Sequence, residues 1–197
     1  METKSNILKR SIFVTISLFI LATIYTYFIN GFAQVFFNHS ANGSIIIKNG
    51  QAIGSEHIGQ LFIESKYFHG RPSVYNYNNY DTKEEAQVLP SSGGTNLSLS
   101  NPLYTENIKS NIEKLLIENP GLKVENIPVE MITASGSGLD PHISIKGAMI
   151  QVERVAKINK IPKDKVISLI NEISQNDIVN VLELNLKIEN LIEEENK

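Results

Sequence analysis

The chain has 197 residues, 42% hydrophobic and 20% charged, with a formal net charge of -3 and no cysteine. That length accommodates one sizeable folded domain plus an appendage, and the missing cysteine excludes disulfides and thiolate metal sites without choosing a redox compartment. With Lys4, Lys9, Arg10 and Glu2 set aside, residues 38–197 hold 15 Lys+Arg against 20 Asp+Glu, a net of -5 that argues against nucleic-acid binding.

No Asp, Glu, Lys or Arg occurs from Ser11 to Ile47, and "SIFVTISLFILATIYTYF" (11–28) is apolar enough to cross a bilayer as a helix. Tyr25, Tyr27 and Asn30 mark an interfacial belt at its far end. Lys4, Lys9 and Arg10 immediately before the span predict a cytoplasmic N-terminus (1–10), a transmembrane helix (11–30), a connecting segment (31–43) and an extracytoplasmic domain (44–197). A cleaved signal peptide fits the basic start and the small residues Gly31 and Ala33, but the apolar stretch is long for a signal and continues through "FAQVFF" without a polar break. A buried helix of a soluble protein fits the length and the flanking charge less well still. Ser17, Ala22 and Thr23 are the small or polar positions expected to face partner helices.

Beyond the span, "SIIIKNGQAIGSEHIGQLF" (44–62) predicts a β-hairpin turning at Asn49-Gly50, a dipeptide suited to the positive φ angles of a two-residue loop. Residues 67–102 keep neither period and are rich in Tyr, Asn, Ser, Gly and Pro, so a long ordered loop is expected. Its tyrosines Tyr67, Tyr75, Tyr77 and Tyr80 serve either as a docking surface or as a roof over the domain's own core. An amphipathic helix is predicted over 105–121, with Ile108, Ile112, Leu115 and Leu116 on one face, Thr105 as N-cap and Pro120-Gly121 as its end. "IPVEMIT" (127–133) reads as a short strand. A helix follows over 144–159 with Ala148, Val152, Val155 and Ala156 inward, and another carries Val166, Leu169, Ile170 and Ile173. "VLELNLKI" (181–188) alternates as a half-buried strand would, with a helix over the last fifteen residues as the alternative. The sum is an α+β protein: one N-terminal transmembrane helix and a single mixed α/β domain.

"ASGSGLDPHIS" (134–144) gathers two serines, an aspartate and a histidine. Ser137, Asp140 and His142 supply the residue types of a hydrolase triad, but they lie too close in sequence and miss the G-x-S-x-G elbow. The phosphate-loop pattern is absent, and the four histidines His39, His57, His69 and His142 show no ligand spacing, so no metal site is expected. A built turn explains most of the stretch: Asp140 caps a following helix, Pro141 takes its first position, and the glycines relieve the backbone. The same vocabulary recurs at "SSGGTN" (91–96) beside "RPS" (71–73).

Together with the N-terminal span, the blocks "GQLF" (59–62), "YFHGRPS" (67–73), "SGGTNLS" (92–98), "NPL" (101–103), "TASGSGLDPHIS" (133–144), "QVERVA" (151–156) and "VNVLELNL" (179–186) resemble the C subunit of the Kdp-type potassium-transporting ATPase over essentially the whole chain. Thr95, "VEMIT" and "AKINK" depart from that pattern. The resemblance implies a non-catalytic accessory subunit of a bacterial inner-membrane complex, partnered by the bilayer, a potassium-translocating channel-like subunit and a P-type ATPase subunit. It also implies a catalytic-chaperone role that raises the pump's affinity for ATP. No cofactor is assigned to the chain itself. With the domain outside and ATP inside, ATP enters only indirectly or in complex with the ATPase subunit, as a coupling free energy. The alternatives are direct ATP binding through the Ser/Gly turns, and a free-standing hydrolase built on Ser137 and His142. The resemblance directs attention to Arg71, Pro72, Ser73, Ser92, Gly93, Gly94, Asn96, Ser135, Gly136, Ser137, Gly138, Asp140, Pro141, His142, Gln151 and Arg154 as structural or docking residues. Arg71 and Arg154 are the two arginines of the outer domain, and at least one is expected to form a bidentate pair, with Asp140 the first candidate. The acidic excess is too small, and too well screened beyond about 8 Å, to steer cations.

Overall fold

The computed structural model describes residues 4–80, 82 and 89–195. The part of the tyrosine-rich loop at 81 and 83–88 lies outside the described residues. The chain divides into two compact units at Ile45/Ile46.

In the first unit, α1 (Lys4–Phe36) contains an apolar span of 31 residues, Asn6–Phe36, none of it buried within the protein. At about 1.5 Å per residue it is longer than a hydrocarbon core of about 30 Å requires. Two of its hydroxyls bond back to the helix: the Thr23 hydroxyl donates to the Phe19 carbonyl at 2.8 Å, and Thr26 to that of Ala22 at 2.9 Å. The helix passes Asn30, so the segment expected as a connector is largely helical, as the end of α1 and the short α2 (Asn38–Ala41). No proline or charge interrupts Gly31–Phe36, and one glycine costs a helix only about 1 kcal/mol.

The second unit opens with the predicted hairpin, β1 (Ile45–Lys48) and β2 (Gln51–Ser55), turned by Asn49 at φ 52° and Gly50 at φ 78°. Among the described residues of the stretch that follows, a 3-10 turn lies at Asn76–Asn78, and α3 (Pro102–Glu118) comes next. That helix begins three residues earlier than expected because the Asn101 side chain accepts from the Leu103 amide, so Asn101, not Thr105, is the N-cap, with Pro102 behind it. The expected strand at 127–133 is a 3-10 turn, Val129–Met131; Pro128 lacks an amide, and among the described residues no strand pairs with this segment. β3 (His142–Ser144) pairs antiparallel with β4 (Ile178–Asn180), His142 opposite Asn180 and Ser144 opposite Ile178. Four helices complete the unit: α4 (Ile145–Met149), α5 (Val152–Asn159), α6 (Lys163–Ile173) and α7 (Val181–Glu195).

Two expectations fail here for physical reasons. The single helix predicted over 144–159 is broken at Gln151, whose side chain is fully buried and committed to backbone partners. "VLELNLKI" is helical, not extended. Its buried set is Val181, Leu182, Leu184, Asn185 and Ile188, in which Val181, Leu184, Asn185 and Ile188 recur at three and four residues, and the Asn180 carboxamide caps the helix by accepting from the Glu183 amide at 3.1 Å. Phe68, Ile143, Val155, Val166, Ile170, Val179, Leu184 and Ile188 form the inner core and fix α5, α6 and α7 around the short β3–β4 pair.

In a helix Leu184 carries the core and Leu186 its margin, whereas in a strand the two would be equivalent. Leu184→Ala is expected to cost about 2–5 kcal/mol and Leu186→Ala well under half of that, measured by denaturant unfolding of the micelle-bound chain.

Candidate functional site

Three loops that are distant in sequence meet as one knot. From the first, Arg71 Nη1 donates to Asp140 Oδ2 at 2.9 Å, the Ser73 hydroxyl donates to the Gly138 carbonyl at 2.6 Å, and the Pro72 carbonyl accepts from the Ser135 amide at 3.1 Å. From the second, the Gly93 amide and the Ser92 hydroxyl both reach the Ser137 carbonyl, at 2.8 and 2.9 Å. Within the third, Ser135 Oγ accepts from the Gly138 amide at 2.9 Å, and Asp140 Oδ1 from the His142 amide at 3.0 Å. Gly94 lies against Gly136, where an added Cβ would meet Gly136 Cα at 3.4 Å. Gly138 has a φ of 68°, and its missing Cβ would sit 2.9 Å from the Gly93 carbonyl, so both its backbone angle and its smallness are required.

The Tyr77 ring closes the knot. It is 9% exposed, its hydroxyl donates to the Arg71 carbonyl at 2.8 Å, and its residue sits at φ 56° between Asn76 and Asn78, which are also left-handed. Three consecutive non-glycine residues in that region are costly and persist because the surroundings hold them. Gly59 makes room, since a Cβ there would lie 2.5 Å from the Tyr77 ring and 2.7 Å from the Asp140 carbonyl. Tyr77 is therefore core, while Tyr75 remains 40% exposed.

Asp140 does not cap a helix as expected: β3 follows it, and α4 is capped by Ser144, which accepts from the Gly147 amide at 2.9 Å. Pro141 precedes a strand rather than opening a helix, and its carbonyl accepts from the Val181 amide. The Arg71–Asp140 pair is present but rests on one N-H; Arg71 Nε is buried without a hydrogen-bond partner. Asn96 takes a left-handed turn, φ 52°, outside the bonded knot.

Gln151 and Arg154 belong to a second, more buried centre. Arg154 is 5% exposed and pairs with neutral oxygens: Nε with Asn119 Oδ1 at 3.1 Å, Nη2 with Gln151 Oε1 at 2.7 Å, and Nη1 with the carbonyls of Tyr67 (2.8 Å) and Ser65. Burial lowers its affinity for its proton, and the nearby Glu118 carboxylate opposes that effect. The Asn185 carboxamide brackets Phe68, accepting from its amide at 2.8 Å and donating to its carbonyl at 2.9 Å; Gln151 brackets His69 in the same way, at 2.8 and 3.1 Å. Asn159 Nδ2 donates to the Lys66 carbonyl at 2.7 Å. Every carbonyl from Ser65 to His69 is thus paired by a side chain. Sequence reasoning missed Asn119, Asn159 and Asn185; an asparagine on the apolar face of a predicted helix is the one local sign of such a role.

His69 Nδ1 lies 3.1 Å from Glu118 Oε2. Burial raises the Glu118 carboxyl, but the hydrogen bond and charge of His69, with Lys114 and Arg154 behind them, outweigh that and hold it below the ordinary carboxylate value. The Tyr77 phenol is pushed up to about 12, first by burial and then by the Asp140 charge.

As chemistry, the knot is closed on itself. Ser137 Oγ accepts from the Leu139 amide at 3.1 Å, and no hydrogen bond joins it to His142 among the described residues. The His142 ring lies 3.8 Å from an Asp140 carboxylate already committed to Arg71 and to the His142 amide. Four amides of the Ser/Gly turns on which a phosphate cradle could draw, those of Gly93, Ser135, Gly138 and Leu139, are used within the knot.

A single long apolar helix joined to this self-bonded domain defines the class: a single-span, membrane-anchored α+β protein. The sequence profile described as "KdpC: K+-transporting ATPase, c chain" matches residues 7–190, and the chain belongs to that family. Its relatives include the potassium-transporting ATPase KdpC subunit of Caldanaerobacter subterraneus subsp. tengcongensis, 42% identical over 190 residues that cover 92% of this chain and 93% of that protein. The corresponding subunit of Flavobacterium psychrophilum is also 42% identical, over 197 residues covering 97% of this chain and all (100%) of its own length. That of Clostridium kluyveri is 38% identical over 202 residues, 95% of each chain.

Arg154→Lys is expected to cost at least about 2 kcal/mol, because one ammonium replaces a fork and leaves two or more buried acceptors unpaired at about 1–3 kcal/mol each. Arg71→Lys, losing one part-exposed contact, is expected to cost about 1 kcal/mol or less, and unfolding of the two variants beside the parent chain checks the ranking. The raised Tyr77 phenol gives a pH dependence. Its contribution to stability is complete below its ordinary value of 10.0 and is lost as pH rises to about 12. Tyr77→Phe is expected to flatten that alkaline decline, leaving the part due to Tyr67, raised by burial, and to Lys48 and Lys66, raised by their bonds to Glu189 and Glu64; denaturation midpoints across this range are the measurement.

Proposed function

We propose that the chain is the accessory subunit of an ATP-driven potassium uptake complex in a bacterial inner membrane. It is held there by α1 with its N-terminus in the cytoplasm and residues 46–197 outside. Lys9 and Arg10, with Lys4 before them, lie at one end of the span and no charge lies at the other, which supports that orientation. Its partners are the channel-like and P-type ATPase subunits, and its role is to hold them together and raise the pump's effective affinity for ATP without doing chemistry. Its relatives carry the name of a potassium-transporting ATPase subunit.

The observation that carries the non-catalytic reading is the closure of the Ser/Gly knot. Ser137 Oγ accepts from the Leu139 amide, the Asp140 carboxylate is committed to Arg71 and to the His142 amide, and the amides of Gly93, Ser135, Gly138 and Leu139 are bonded within the knot. That favours a rigid docking body over a nucleotide site. ATP affinity is then altered through the partners as a coupling between two sides of the membrane, typically about 1–3 kcal/mol.

Protease added to intact spheroplasts is expected to remove residues 46–197 and, in the same membranes, to raise the ATP concentration that half-saturates potassium-stimulated ATPase. Survival of the domain until lysis, or removal without any change in the ATP requirement, would overturn the reading.

A further inference from the structure

Asparagine followed by glycine is the pairing most prone to lose its side-chain amide, since glycine has no side chain to shield its peptide nitrogen from the preceding carboxamide. The chain has three such pairs: Asn30-Gly31, Asn42-Gly43 and Asn49-Gly50. The fold places them in three different environments.

Asn30-Gly31 lies inside α1, where the Gly31 amide is part of the helical hydrogen-bond ladder. Asn42-Gly43 is exposed but tied at both reacting groups. The Asn42 carboxamide accepts from Gln34 Nε2 at 3.2 Å and donates to Gln34 Oε1 at 3.1 Å and to the Asn38 carbonyl at 2.8 Å; the Gly43 amide donates to the Ser40 carbonyl at 3.1 Å. At Asn49-Gly50 neither group is held: both residues are exposed, and no hydrogen bond is made by the Asn49 carboxamide or the Gly50 amide among the described residues. The hairpin around them has strands of four and five residues, and two-stranded ribbons of that size open locally with ease. Opening matters, because ring closure requires Asn49 to leave its left-handed conformation at φ 52°.

We propose that Asn49 is a site of spontaneous deamidation and that the folded protein protects Asn30 and Asn42. The Gly50 nitrogen bonds to Asn49 Cγ and loses its proton to water, while the Cγ–Nδ2 bond breaks and the nitrogen leaves as ammonia. Water then opens the resulting succinimide at either carbonyl, giving aspartate or isoaspartate. One water is consumed, one ammonia is released, and no oxidant or catalyst takes part. Aspartate tolerates the left-handed turn, whereas isoaspartate adds a backbone carbon to a loop closed by two residues and breaks the hairpin. Either product places a new negative charge beside Lys48, which otherwise pairs with Glu189 at 2.9 Å.

The test is peptide mapping by mass spectrometry of the full chain in detergent micelles, aged at mildly alkaline pH beside the same chain in guanidinium. In the folded chain the mass gain and the aspartate/isoaspartate pair are expected at 49 well before 30 or 42, and in the unfolded chain at all three together. Equal conversion of 42 or 30 in the folded chain, or no conversion at 49 while the unfolded chain reacts, overturns the proposal. The same ranking in the unfolded chain assigns the difference to sequence and overturns it equally. Gln34→Ala, which removes two of the three hydrogen bonds of the Asn42 carboxamide and leaves the one to the Asn38 carbonyl, is expected to speed conversion at 42; an unchanged rate overturns the protection assigned to Gln34.

Discussion

Backbone carbonyls withdrawn from water must find donors, and between Ser65 and His69 the chain belongs to neither sheet that could supply them. Here the donors are side chains. Arg154, Asn159, Asn185 and Gln151 pair the five carbonyls in turn, and Asn185 and Gln151 also take the amides of Phe68 and His69. These residues project from α5 and α7 and from the break before α5, so one extended stretch locks the two helices together and buries Phe68 completely. A network of this kind is worth most when every member is satisfied, and it leaves buried polar groups exposed to large penalties when one is lost.

The Ser/Gly knot depends on that lock. Residues 70–73 follow directly from His69, so the position of Arg71 against Asp140, and of Ser73 against Gly138, is set by where the 65–69 stretch is pinned. From there the constraint passes to the Ser92–Gly94 loop and to β3, which enters its pairing with β4 two residues after Asp140. Tyr77 fills the space that Gly59 and Gly70 leave open, and its left-handed backbone is held by the same contacts. A domain with short strands and long irregular segments is thereby tied together by side-chain bonds between its loops.

Much of the outline was legible in the sequence. The 3.6-residue period placed Ile108, Ile112 and Leu115 on one face of α3, and Val166, Ile170 and Ile173 on one face of α6, because apolar side chains at that spacing turn inward together. Asn49-Gly50 announced its hairpin because its backbone angles are a local property. The reading failed where burial is shared with polar groups. In "VLELNLKI" a buried asparagine broke the helical signal and left an alternation that imitates a strand, although Asn180 followed three residues later by Glu183 was a capping sign. Arg71 and Asp140 were paired correctly by type, but through one N-H and not two, and Arg154 proved to serve carbonyl and carboxamide oxygens in place of a carboxylate.

By itself the sequence determined the anchor, the helical faces, the hairpin turn and the residues from which the knot is made. Each of these follows from interactions within a few residues along the chain, or from the preference of a continuous apolar stretch for hydrocarbon. Only the tertiary structure decided which distant carbonyl each arginine and carboxamide would serve, that α7 would be a helix, and that the Ser/Gly turns would close on one another. Those outcomes depend on donors and acceptors far apart in the chain, 117 residues between Phe68 and Asn185 and 124 between Glu56 and Asn180, and no local rule assigns partners across that distance.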